Sequence, residues 1–161
     1  MRILGIDPGL HITGYALLTL NRTRPTLEEA GVLRIKATDT LPQRLHELHS
    51  QITELLTDFT CDHIAVEQLY AHYKHPRTAI LMGHARGVIL LAAAQADVPV
   101  TSLPSTLVKK MLTGNGHATK RQIQLAVTAL YHLPRPPSPP DVADAIAIAW
   151  TLSARLQRHR R

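Results

Sequence analysis

The chain has 161 residues, 45% apolar but only 4% aromatic, with a single cysteine, Cys61. This length fits one domain of the usual ~100–200 residues with a sizeable Leu/Ile/Val/Ala core. The lone cysteine excludes an intrachain disulfide and fits a reducing compartment. Eighteen Lys and Arg against twelve Asp and Glu give a net charge of +6.

Arg2–Asp7 reads as a short buried strand closed by the turn chemistry of Asp7-Pro8-Gly9. An acid this early leaves no room for a secretory h-region. The longest central apolar run, Val88–Ala94, is far shorter than a bilayer span. A soluble, cytoplasmic domain with no membrane contact is therefore expected. Strands are also expected over 13–20 and 28–36, joined by a hairpin loop at 21–25. Leu41, Leu45, Leu48, Ile52, Leu55 and Phe59 then recur at helical spacing behind Thr40-Leu41-Pro42. His63–Val66 is a buried strand running into Glu67. A polar and aromatic loop over 68–76 leads to a helix over 77–96. A strand over 98–103 has Pro99 near its start. Helices are expected over 105–112 and 120–131. The stiff connector Leu133–Pro140 precedes a last helix from Asp141, ending in a flexible basic tail at 155–161. A strand meander followed by alternating helix and strand predicts one α/β domain over 1–161: a five-stranded mixed sheet, three strands as the meander plus two parallel, with helices on both faces.

Charge is unevenly spread. Between Gln68 and Pro140 there are eight Lys or Arg and one acid, Asp97, a bias that suits a polyanionic partner. Within this basic chain, four carboxylates occupy element ends: Asp7, Glu67, and the pair Asp141 and Asp144, one helical turn apart. Each has an ordinary explanation taken singly, as turn former, solvated strand end, helix cap or dipole partner. If the first and fourth strands are parallel neighbours, however, Asp7 and Glu67 emerge together at the sheet edge where such folds bind ligands. Four converging carboxylates need cationic compensation. An oxygen-only donor set selects a hard ion, Mg²⁺ or Mn²⁺. A pair of such ions suits in-line phosphodiester hydrolysis.

Five motifs then stand in register: Gly5-Ile6-Asp7-Pro8-Gly9 with Gly14, Val66-Glu67-Gln68, Gly83-His84-Ala85-Arg86-Gly87, Gly114–Lys120, and Asp141-Val142-Ala143-Asp144-Ala145. Their order and spacing resemble those of the bacterial RuvC Holliday-junction resolvases over almost the whole chain. The resemblance implies an RNase H-like fold, a homodimer, and paired symmetric nicking of a four-way DNA junction in recombination and repair. It implies two Mg²⁺ per site, replaceable by Mn²⁺, on Asp7, Glu67, Asp141 and Asp144. It also implies basic residues Lys109 and Lys120 near the scissile phosphate, with Lys120 catalytic, and an aromatic inserted at the junction. That aromatic is Tyr70 here, where Phe is common. A RuvA–RuvB-type branch-migration complex is the expected partner. Dimer contacts are expected at Met82, Gly83, Arg86, Gly87 and Leu90, because the helix over 77–96 carries more apolar and small residues than one sheet face needs.

Tyr73, Lys74 and Arg77 flank Tyr70 as further DNA-binding candidates, because aromatics interleaved with cations suit base stacking and phosphate contact. Ten histidines lack zinc-site spacing; His117, in the glycine-bounded loop before Lys120, is the one that merits testing. Three other readings remain open. Asp-x-Gly followed by Gly14 also resembles the first phosphate loop of actin-like ATPases, which need two lobes. A junction-binding protein without catalysis would not need four carboxylates. Another RNase H-like nuclease would act on a different nucleic acid.

Overall fold

The computed structural model describes residues 1–21, 24–69 and 76–159. In chain order the elements are β1 (Arg2–Asp7), β2 (Ile12–Thr19), β3 (Thr26–Arg34), α1 (Leu41–Asp58), β4 (His63–Gln68), α2 (Pro76–Gln95), β5 (Val100–Pro104), α3 (Ser105–Thr113), α4 (Lys120–Tyr131) and α5 (Pro140–His159). The strands form one sheet of order β3-β2-β1-β4-β5. β1, β2 and β3 are an antiparallel meander, and β4 runs parallel to both β1 and β5. The expected mixed sheet is thus the observed one.

Boundaries differ where local chemistry decides them. β5 begins at Val100 because Pro99 has no N–H and offers the ladder only its carbonyl, which accepts from the Ile64 amide at 2.9 Å. α1 starts after Thr40, whose amide donates to the Gln43 side chain at 2.9 Å. The tail expected to be loose from Arg155 is instead helical through His159. Leu156 packs on the core there, and the Gln157 side chain donates to the Asn21 carbonyl at 2.8 Å.

Strand alternation divides the core into two layers. Ile3, Ala16, Leu18, Ala65 and Leu103 point to one face, where α3, α4 and α5 cover them. Leu4, Ile6, Leu17 and Ile64 point to the other, under α1 and α2. Along β1, Ile3, Gly5 and Asp7 share the α5 face; along β4, Ala65 and Glu67 do so too. The pleat therefore sends both strand-end carboxylates toward α5.

α5 lies unusually close to the sheet. A methyl group at Gly5 would overlap Ala145 and Ala149, and one at Gly14 would overlap the Asp141 carbonyl. The buried Ala145 and Ala149 keep the facing helix surface equally thin. Gly14 thus has a packing reason, and the phosphate-loop reading of Asp-x-Gly with Gly14 loses its motivation.

α2 is apolar enough over Arg77–Gln95 to cross a membrane by length and composition. Ala85, Ile89, Ala92 and Ala93 are buried against α1 and the sheet, and 22% of that stretch is buried in all. Its opposite face presents Ile80 (62% exposed), Gly83, Gly87 and Leu91 (53% exposed) in one stripe.

Candidate active site

β1 and β4 run side by side with Ile6 beside Val66, so the next residues, Asp7 and Glu67, come to the same end of the sheet. α5 supplies Asp141 and Asp144 from its first turns. Its start is fixed from two sides: by the absent Gly14 side chain, and by the connector, whose Pro137 carbonyl accepts from the Gln124 side chain at 2.8 Å. All four carboxylates line one cavity of about 640 Å³.

Two lysines reach the same cavity by different routes. Lys109 comes from α3, which follows directly on β5. Lys120 opens α4, and Thr119 holds it in place. The Gln122 amide donates to the Thr119 hydroxyl at 3.2 Å, and the Thr119 amide donates to the Gln122 side chain at 2.8 Å. The loop before it is pinned by the Asn115 side chain, which accepts from the His117 amide at 2.9 Å. Lys120 Nζ stands 3.8 Å from Asp144 Oδ2.

The electrostatics are those of crowded anions in a partly desolvated pocket. Burial pushes Asp7 well above the usual carboxylate range, and repulsion from Glu67, Asp144 and Asp141 pushes it further, against a smaller pull from Lys120. Burial and Asp144 raise Glu67, opposed by Lys109 and Lys120. Burial also raises Asp144, with Lys120 opposing and Asp141 reinforcing. Two lysines do not neutralise four acids. The carboxylates share a cavity without closing to ligating separation: among the described residues, no three Asp, Glu, His or Cys side chains stand at metal-binding distance. Their chemistry still fits a hard divalent cation, since the donors are all oxygen, carry excess negative charge and lie in one pocket.

The opposite wall carries residues that sequence reasoning passed over. Arg44 and His11 line the cavity, and Arg44 donates to the Leu10 carbonyl at 3.0 Å, in the loop that follows Asp7. Arg44 is the one Lys or Arg of α1, a signal visible in the sequence. Thr78, Leu81 and Met82 of α2 complete that side. Of the residues expected at a dimer contact, Met82 lines the cavity and Arg86 bonds the ends of β4 and β5. Leu90 is half-buried, whereas Gly83 and Gly87 face outward. Arg77 is exposed at the start of α2; His117 is exposed near Lys120. Tyr70, Tyr73 and Lys74 lie outside the described residues.

The chain is similar to known proteins over most of its length. A family profile described as "Crossover junction endodeoxyribonuclease RuvC" matches residues 3–152. A protein of that name from Rhodopirellula baltica is 56% identical over 147 residues, 91% of this chain and 83% of its own. Another, from Thermosipho melanesiensis, is 39% identical over 153 residues, 95% of this chain and 97% of its own. Among solved structures, Thermus thermophilus RuvC in complex with Holliday junction substrate superposes with a TM-score of 0.87 at 30% identity, covering 99% of this chain and 96% of that one. The yeast mitochondrial Holliday junction resolvase, at 18% identity and a TM-score of 0.69, covers 99% of this chain and 81% of its own and shares the fold.

Proposed function

The chain belongs to the RuvC family of crossover junction endodeoxyribonucleases, and on that premise we propose that it resolves four-way DNA junctions by metal-assisted hydrolysis of phosphodiesters in two opposed strands. The observation that carries the mechanism is the convergence of Asp7, Glu67, Asp141 and Asp144 with Lys109 and Lys120 in one cavity at the strand ends. Those four carboxylates would hold two Mg²⁺, with Mn²⁺ able to replace them. Bound there, the ions would supply Lewis-acid chemistry to phosphodiester hydrolysis. The protein's own groups do the rest. The two strand ends and the first turns of α5 orient the carboxylates on rigid elements. Lys120, kept beside Asp144 by its capped helix, offsets the charge that builds on the phosphate during displacement, and Lys109 holds the strand alongside. Tyr70, Tyr73 and Lys74, which precede α2 in the sequence, and Arg77 in its first turn would stack on bases and meet phosphates.

Paired nicking calls for two active sites, and the exposed stripe Ile80, Gly83, Gly87 and Leu91 supports a homodimer through α2. Ile80→Asp should then give monomers in analytical ultracentrifugation; an undiminished dimer would put the interface elsewhere. The chain acts as a single nuclease domain in the cytoplasm, with a RuvA–RuvB-type motor as its partner on the junction.

The test is a cleavage panel of synthetic four-way junction, plain duplex and RNA–DNA hybrid, each with Mg²⁺ or with EDTA. Symmetric nicks confined to the junction and to Mg²⁺ are expected. Equal cutting of hybrid or duplex would assign a different substrate, and cutting in EDTA would remove the metal.

A further inference from the structure

Glu67 stands near the end of β4. β4 pairs with β1 only as far as Val66, so at Glu67 the ladder continues on one side alone, through β5, where Glu67 lies beside Leu103. On the open side a charged group from α2 closes the gap. Arg86 Nε–H donates to the Glu67 main-chain carbonyl at 3.2 Å, and Nη2 donates to the Ser102 hydroxyl on β5. One guanidinium thereby spans the ends of two neighbouring strands, using the fixed fork that a lysine lacks. Lys109 and Lys120 are cations that lower the Glu67 carboxylate against its burial, whereas Arg86 bonds the main chain of that residue. Arg86 therefore acts through the main chain. The same helix contributes Thr78, Leu81 and Met82 to the cavity and turns its Gly83 and Gly87 stripe outward.

We propose that Arg86 is a positioning residue, a strut that fixes the strand end from which Glu67 meets the divalent cation and ties that strand end to α2. This rests on the reading of Glu67 as a cation ligand, and the experiment keeps the two separable. Mn²⁺ binding to the whole protein is measured by electron paramagnetic resonance, alongside the Mg²⁺ concentration for half-maximal junction cleavage and junction affinity in EDTA. Arg86→Lys keeps the charge but reaches one acceptor. It should weaken Mn²⁺ binding ~10-fold, as loss of an outer-shell partner does, and raise the Mg²⁺ requirement equally while leaving junction affinity within twofold. Ser102→Ala, at an exposed position, should give a smaller loss of the same kind, and the double variant should be no worse than Arg86→Lys alone. Unchanged Mn²⁺ binding in Arg86→Lys overturns the strut. So does a parallel fall in junction affinity, which would put the guanidinium on DNA. If Arg86→Lys does not fold by circular dichroism, Ser102→Ala decides. Glu67→Gln is the separate arm: retained Mn²⁺ binding and cleavage there would overturn the ligand role of Glu67, whatever Arg86 does.

Discussion

Acids gather beside both ends of β1 and β4, and the two ends treat them in opposite ways. At the N-terminal end, Arg2 donates to Glu28 at 2.7 Å and 3.2 Å and to the Thr60 carbonyl at 2.9 Å, while its amide donates to Asp62 at 2.6 Å. Thr19 adds its hydroxyl to Glu28. Each carboxylate there has a donor. At the C-terminal end, Asp7, Glu67, Asp141 and Asp144 crowd one cavity with two lysines, and the closest ion pair spans 3.8 Å. The first arrangement holds the sheet together. The second opposes folding and makes sense only where a cation or a phosphate is to be handled.

The sharpest way to separate the two ends is Asp7→Asn. Cleavage should fall at least about a thousandfold, equivalent to ~4 kcal/mol of barrier, with junction binding retained; single-turnover cleavage checks it. Stability should move the other way. The folded-state pKa of Asp7 is raised, so between the unfolded value near ~4 and the folded value the native state holds more protons. Stability therefore falls as pH rises through that window, and the deficit is complete above it. Asp7→Asn should raise Tm at pH 7, and the gain should vanish below pH ~4. A variant that melts lower at pH 7 would contradict the uncompensated-charge reading.

Gly14→Ala probes how the crowded end is built. The added methyl meets the Asp141 carbonyl, so α5 must shift, at a cost of ~1–3 kcal/mol. Cleavage should drop along with stability, measured by denaturant titration. Lys120→Ala should slow cleavage ~10- to 100-fold while changing junction affinity only a few-fold, read by comparing single-turnover rate with gel-shift affinity. The smallest effect belongs to the opposite end. Arg2→Ala should cost ~1 kcal/mol, because the Arg2–Glu28 pair is about one-third exposed, and lower Tm by ~2–4 °C. Cleavage well below that melting point should be unchanged.

Much of this contrast was legible in the sequence. Asp7 and Glu67 ended apolar runs, the turn and connector chemistry bounded the elements, and the i,i+3 pair on α5 needed only the helical period. The pleat then fixed which face each carboxylate takes. What stayed hidden depends on helix rotation. α1 has one apolar stripe, and its inward face is legible. α2 is apolar nearly all round, and periodicity alone cannot say which residues look outward. The bond from Arg86 to Ser102, sixteen residues away, is likewise not legible from periodicity. Arg44 escaped notice for a related reason: its role depends on where the β1–β2 loop lies against α1. The close seating of α5 was also invisible, since nothing in the sequence ties the strand residues Gly5 and Gly14 to the helix above them.

That seating has a consequence for anyone wishing to transplant the site. Three of the four acids, Asp7, Asp141 and Asp144, belong to a hairpin and a helix pressed backbone to backbone, with no side chain between Gly14 and Asp141 to absorb an adjustment. They travel as a cassette. A grafted version that copied the acids onto another scaffold, without the bare strand and the alanine-faced helix, would set them at the wrong depth from the start.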